Sequence, residues 1–152
     1  MKLRGEGKTI VLADDAPEVV DLVRMVLEQR GYEILSYSNG LAAWDKIQEI
    51  EPDLIILDIL MPGMNGLELC AAIKSSETLS NIPVVMITSA TDNSEVPDGF
   101  WSIGTESDDF LSKPFNPLEL AARVDSLVFG TALPAEFQSR GGGGGAQRVI
   151  FE

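Results

Sequence analysis

Histidine is absent from this 152-residue chain, and cysteine occurs once, at Cys70. Without an imidazole there is no histidine general acid or base, no histidine metal ligand and no phosphohistidine. A lone thiol closes no internal disulfide. Its setting among Leu67, Leu69 and Ile73 reads as a buried structural residue. Basic residues are also scarce: 11 Lys and Arg stand against 24 Asp and Glu, for a net charge of −13. Phosphate contacts supply most nucleic-acid affinity, so so acidic a chain is expected to bind no nucleic acid directly and no anionic membrane surface. No apolar run approaches the ~20 residues of a membrane span, and the N-terminus lacks a signal-peptide core. A cytoplasmic location is expected.

Hydrophobic residues make up 45% of the chain, enough for one α/β domain with a real core. Short apolar runs alternate with stretches of helical period, the pattern of a parallel sheet with crossover helices. Strands are expected at 9–13, 33–36, 54–58, 84–88 and 109–112. The first, third and fourth are almost wholly apolar, as in strands covered on both faces. A first helix is expected over 17–30, with Val19, Leu22, Val23, Val26 and Leu27 as its apolar stripe and Gly31 closing it. A second covers 41–50 with Ala43, Ile47 and Ile50 inward, and a third runs from Gly66 to Ser75. The last begins at Asn116 and Pro117, with Glu119 placed to complete a capping box. Between Thr88 and Asp109 only a short helix near 98–103 is expected, because Pro97 and Gly99 break the period. After Phe129 the pattern stops: 130–140 reads as irregular, 141–145 as a glycine linker, and 146–152 as a tail with an apolar cluster at Val149, Ile150 and Phe151.

Charged residues end several of these strands. Asp14 and Asp15 follow the first, Asp58 ends the third, Thr88 ends the fourth and Lys113 follows the fifth. In an open doubly wound sheet, ligands bind beyond the carboxyl ends of the strands. Like charges gathered there ask for a cation, and three carboxylates suit Mg²⁺, a hard ion that takes oxygen ligands. Asp58 can act as a nucleophile toward phosphorus, giving an acyl phosphate. Lys113 can pair with a phosphate oxygen as a point charge, and the Thr88 hydroxyl can donate to another. Positioning and charge neutralisation are most of what phosphoryl transfer requires.

Taken in order, Asp14-Asp15, the run Leu54–Asp58 with Met61-Pro62-Gly63-Met64-Asn65-Gly66 after it, Thr88-Ser89-Ala90, and Phe110-Leu111-Ser112-Lys113-Pro114-Phe115 resemble the receiver domain of two-component response regulators. The resemblance covers about residues 9–129. It implies a flavodoxin-like, doubly wound five-stranded parallel sheet of order 2-1-3-4-5 with helices on both faces. The receiver domain would span 7–130, followed by a flexible glycine-rich tail over 131–152. It further implies Asp58 as phosphoacceptor, Asp15 and Asp58 as direct Mg²⁺ ligands, Asp14 acting mainly through water, and the Leu60 backbone carbonyl as a further ligand. Lys113 becomes the phosphate partner, Thr88 the switch hydroxyl, Phe110 the switch aromatic, and Pro114 the residue after a cis peptide. The implied partners are a histidine kinase or histidine phosphotransfer protein and a downstream protein, with room for a phosphorylation-dependent dimer. Any catalysis would be confined to the domain's own phosphorylation and dephosphorylation.

Two departures from the family pattern stand out. Residues 104–109 read Gly-Thr-Glu-Ser-Asp-Asp where a shorter Gly-Ala-Asp-Asp is usual, and Pro97 falls where the family's fourth helix runs, so the output surface is expected to be unusual. Leu60 and Ala90 occupy the positions two after the phosphoacceptor and two after the switch threonine. Neither side chain can hydrogen-bond an attacking water, which predicts slow autodephosphorylation. No output segment is evident, so signalling is expected to pass through protein contacts; the alternative is an excised receiver from a longer regulator or hybrid kinase. Other classes on the same architecture fit less well. An aspartyl phosphatase wants a second acid where Leu60 stands, and a flavodoxin-like carrier wants small hydroxyl residues where Asp14-Asp15 stand. A receiver-like module working without phosphorylation is the remaining reading.

Overall fold

A computed structural model describes residues 3–88 and 107–138. Five strands and five helices follow in the order β1 (Thr9–Ala13), α1 (Pro17–Glu28), β2 (Glu33–Tyr37), α2 (Gly40–Ile50), β3 (Leu54–Asp58), α3 (Gly66–Ser75), β4 (Val84–Thr88), β5 (Asp109–Ser112), α4 (Pro117–Phe129) and α5 (Ala135–Gln138). All four strand pairings are parallel, and the order across the sheet is β2-β1-β3-β4-β5. The expected fold is therefore the one found. The expected short helix near 98–103, the motif residues Ser89 and Ala90, Pro97 and the 141–152 tail lie outside the described residues.

The sheet is buried on both faces because β3 and β4 are apolar at consecutive positions, so each face receives a side chain at every second residue. Val11, Ile55, Leu57, Val84 and Met86 point to one side and pack with Ala43 and Ile47 of α2 and Leu69, Cys70 and Ile73 of α3. Ile10, Leu12, Leu54, Ile56, Val85 and Ile87 point to the other and meet Val23 and Leu27 of α1 and Leu120 and Val124 of α4. Cys70 is buried as a small apolar residue of the first layer. Among the described residues no helix is long and apolar enough to cross a membrane.

Helix ends follow local chemistry. Asn39 caps α2 by accepting from the Leu41 N–H at 2.7 Å, and Asn116 caps α4 by accepting from Leu118 at 2.8 Å. The reciprocal capping box appears at α3, where Asn65 and Glu68 each accept from the other's backbone N–H. The expected partner in α4, Glu119, is instead buried and bound to Arg123 at 2.8 Å. Helix α1 stops at Glu28, two residues short of the expected end, and Gly31 at φ +100 turns the chain into β2.

The stretch after Gly130, expected to be irregular, contains the helical turn α5. Phe137 in that turn is buried, and its carbonyl accepts from Arg123 at 3.4 Å. Sequence pattern missed it because four residues are too few to show a period.

Candidate functional site

Three strand ends and one loop converge at the carboxyl edge of the sheet. Asp14 follows β1 and is 1% exposed; its Oδ1 accepts from the Ala16 N–H at 2.9 Å, which turns the chain into α1. Asp15 beside it is exposed, and Asp58 at the end of β3 is buried. One oxygen from each of the three carboxylates lies within 4.8 Å of the others. Lys113 reaches in from beyond β5, with Nζ 3.1 Å from Asp14 Oδ2 and 3.4 Å from Asp58 Oδ2. Its backbone N–H donates to the Thr88 carbonyl at 2.7 Å, which ties it to β4. Lys113-Pro114 is a cis peptide, as the resemblance implied.

One ammonium thus faces three carboxylates. Burial, with the Asp14 carboxylate beside it, raises the Asp58 pKa from 3.8 to about 6; Lys113 opposes the shift and Asp15 adds to it. Asp14 Oδ2 is buried without an aligned hydrogen-bond donor, because Lys113 approaches it as a charge rather than along a hydrogen-bond direction. A buried carboxylate oxygen served by one ammonium that two carboxylates share leaves room for a further cation. Hard oxygen donors at this spacing, three carboxylates to one lysine, fit a divalent ion of the Mg²⁺ type.

The remaining expected residues fall around this centre. Thr88 is buried at the end of β4, next to β3 in the sheet and joined to Lys113 through its carbonyl. Phe110 lies half-buried on β5 against the core layer that contains Met86. Leu60 sits two residues past Asp58 with its side chain 44% exposed, so an aliphatic group borders the mouth of the site. The loop that carries it folds back on glycine: Gly66 N–H donates to the Ile59 carbonyl at 2.8 Å. A Cβ on Gly66 would stand 2.2 Å from the Asp58 carbonyl oxygen, so no larger residue allows that approach.

Sequence reasoning did not single out Asn39 and Gly40, which hold the far side of this loop; an Asn-Gly pair at a helix start was the available signal. It also missed Arg123, whose guanidinium binds Asp109 at 2.7 Å and Glu119 at 2.8 Å away from the acidic site.

A doubly wound parallel sheet of order 2-1-3-4-5 with a triad of carboxylates and one lysine at its carboxyl edge is the arrangement expected of a receiver domain. The chain matches the response regulator receiver domain over residues 10–125. It is 39% identical over 122 residues to the response regulator GtcR of Aneurinibacillus migulanus, covering 80% of this chain and 48% of that protein. Against the DNA-binding response regulator MtrA of Mycolicibacterium smegmatis it is 36% identical over 115 residues, covering 76% of this chain and 48% of that one. The signal receiver domain of a signal transduction histidine kinase from Syntrophus aciditrophicus superposes with a TM-score of 0.74 at 34% identity, covering 82% of this chain and 92% of that one. The chain belongs to the response regulator receiver family. It spans about half the length of the curated relatives it matches.

Proposed function

We propose that this receiver is a phosphoacceptor whose Asp58 carries the phosphoryl group and whose phosphorylation switches protein–protein contacts. The observation that carries the reading is the cluster of three carboxylates with one lysine, 3.1 Å from Asp14 and 3.4 Å from Asp58. Asp14, Asp15, Asp58 and the Leu60 carbonyl would hold Mg²⁺, whose chemistry there is to neutralise charge and polarise the incoming phosphoryl group.

The chain's own residues do the rest. An Asp58 Oδ attacks phosphorus while the bond to the donor's leaving group breaks, whether that group is a kinase imidazole or the carboxylate of a small acyl phosphate. Deprotonated Asp58 is the reactive form, so a pKa near 6 leaves it competent at neutral pH. Lys113, already placed between Asp14 and Asp58, trades carboxylate contacts for a phosphoryl oxygen. Thr88 offers its hydroxyl to another oxygen, and a shift there opens space beside β5 that Phe110 can fill. A coupling of about 1–3 kcal/mol suffices to move a two-state population usefully.

The partners in this reading are a histidine kinase or phosphotransfer protein upstream and a protein effector downstream, in the cytoplasm. The domain turns over no substrate other than its own aspartyl phosphate. Incubation with acetyl phosphate and Mg²⁺, read by intact mass, should give one phosphoryl adduct that disappears in Asp58→Asn and when Mg²⁺ is chelated. A folded wild-type protein that takes up neither phosphoryl group nor beryllofluoride would overturn the reading in favour of a phosphorylation-independent interaction module.

A further inference from the structure

The loop between β3 and α3 is confined by backbone on two sides. Toward β3 the constraint is Gly66 against the Asp58 carbonyl, described above. Toward α2 it is the pair Asn39-Gly40. The Gly40 N–H donates to the Pro62 carbonyl at 3.1 Å, and Gly40 is buried. A Cβ on Gly40 would stand 1.8 Å from the Met64 carbonyl oxygen and 2.7 Å from its carbonyl carbon. Gly63, at φ +83, presses on the neighbouring side chain, where a Cβ would lie 2.5 Å from Asn39 Oδ1. That oxygen cannot retreat freely, because it caps α2 by accepting from Leu41 at 2.7 Å. Three separate contacts therefore set one seven-residue loop against one helix end, and the nearest obstacle, the Met64 carbonyl, is main chain that no rotamer change can move.

We propose that Asn39 and Gly40 are positioning residues for the acidic site. The start of α2 is a stop against which the loop rests, and the stop sets where the Leu60 carbonyl stands relative to the carboxylates of Asp14, Asp15 and Asp58. The inference rests on the metal-dependent reading above and deepens it, since it assigns the reach of the loop ligand to a helix that contributes no ligand itself. Constellations of this kind function only when held to within about 0.5 Å. Placing a methyl group on Gly40 forces Met64 outward from 1.8 Å to beyond 3.0 Å, and the loop must move with it. A residue that merely packs would lose stability when altered and leave ligand affinity alone; a positioning residue loses affinity while the protein stays folded.

The test uses the full chain, unphosphorylated, with Mg²⁺ binding followed by calorimetry and folding by thermal melts. Wild type is titrated first, then Gly40→Ala, Asn39→Ala, Asn39→Ser, and Val124→Ala in α4 as a packing control far from the loop. Gly40→Ala should melt cooperatively yet bind Mg²⁺ about tenfold or more weakly, the loss expected when outer supports of a metal site are disturbed. Val124→Ala should lower the melting temperature and keep wild-type affinity. Asn39→Ala, which removes the capping oxygen at the stop, should also weaken Mg²⁺ binding in a folded protein, and Asn39→Ser, which keeps a capping oxygen, should retain most of the wild-type affinity.

Wild-type affinity in folded Gly40→Ala and Asn39→Ala overturns the proposal, as does an equal loss in Val124→Ala. If Gly40→Ala does not fold, the Asn39 pair decides, and an Asn39→Ser affinity no better than that of Asn39→Ala overturns it. Wild type that binds no Mg²⁺ overturns the metal-dependent reading itself, which separates that failure from this one.

Discussion

At the amino edge of the sheet, buried carboxylates are matched with cations; at the carboxyl edge they are not. Asp125, buried near the end of α4, receives Arg30, the Tyr32 hydroxyl and, at 3.5 Å, Arg4. Burial, together with the hydrogen bond to Asp125, holds the Tyr32 phenol well above its ordinary pKa. Asp109, the first residue of β5, shares Arg123 with Glu119, and the same guanidinium reaches the Phe137 carbonyl. Burial works against the charge on Arg123, but Asp109 and Glu119 outweigh it, so its pKa is raised. Across the sheet, the clustered Asp14, Asp15 and Asp58 have, among the described residues, one lysine, which Asp14 and Asp58 share. Matched charges hold elements together. Unmatched ones destabilise the empty protein and persist where a ligand supplies what is missing.

The contrast is broken most severely by removing Arg123. Arg123→Ala leaves Asp109 and Glu119 buried with no cation between them and releases the contact to α5, and should cost about 3–5 kcal/mol. Urea denaturation measures it directly; an unfolding free energy lowered by less than about 1 kcal/mol would erase the distinction between the two edges.

A smaller effect of opposite sign is expected at the acidic site. Because the folded pKa of Asp58 is raised from 3.8 to about 6, its protonation favours the fold. That contribution is fully present below about pH 4 and is lost as pH rises through about 6. In chelator, Asp58→Asn should therefore stabilise the protein at pH 8 by about 1–3 kcal/mol, and the advantage should fade toward pH 4. Paired melts across that range are decisive, and a variant less stable than wild type at pH 8 would show that Asp58 is already adequately paired.

The smallest effect concerns the lifetime of the phosphorylated state. Leu60 borders the site with an exposed aliphatic side chain that offers water no hydrogen bond. Leu60→Asn should speed loss of the phosphoryl group roughly threefold to tenfold, about 1 kcal/mol in barrier. A time course of the adduct by intact mass reads this rate, and an unchanged lifetime removes Leu60 from the account.

Much of this was legible along the chain. All five strands lie where short apolar runs between helical stretches predicted them, most plainly β1, β3 and β4, because a strand covered on both faces is apolar at consecutive positions. Asp14, Asp15, Asp58 and Lys113 come together because each follows or ends a parallel strand, and parallel strands share one carboxyl edge. Other features were illegible for equally physical reasons. Glu119 read as a capping residue, yet Arg123 one turn later offered a buried cation. Phe137 read as part of an irregular stretch because one helical turn carries no period. Gly40 was not singled out and Gly63 entered only as part of the family motif, since close approach of two backbones leaves no mark in composition.

The sequence by itself determined the fold class, the strand order through family resemblance, and the identity of the acidic cluster, because hydrophobic period and strand-end chemistry are local properties. Only the tertiary structure decided which charges are matched, how far the Asp58 pKa is raised, and what braces the loop beside it. Those outcomes depend on distance, burial and the meeting of residues far apart in the chain, and a low-dielectric interior magnifies each of them.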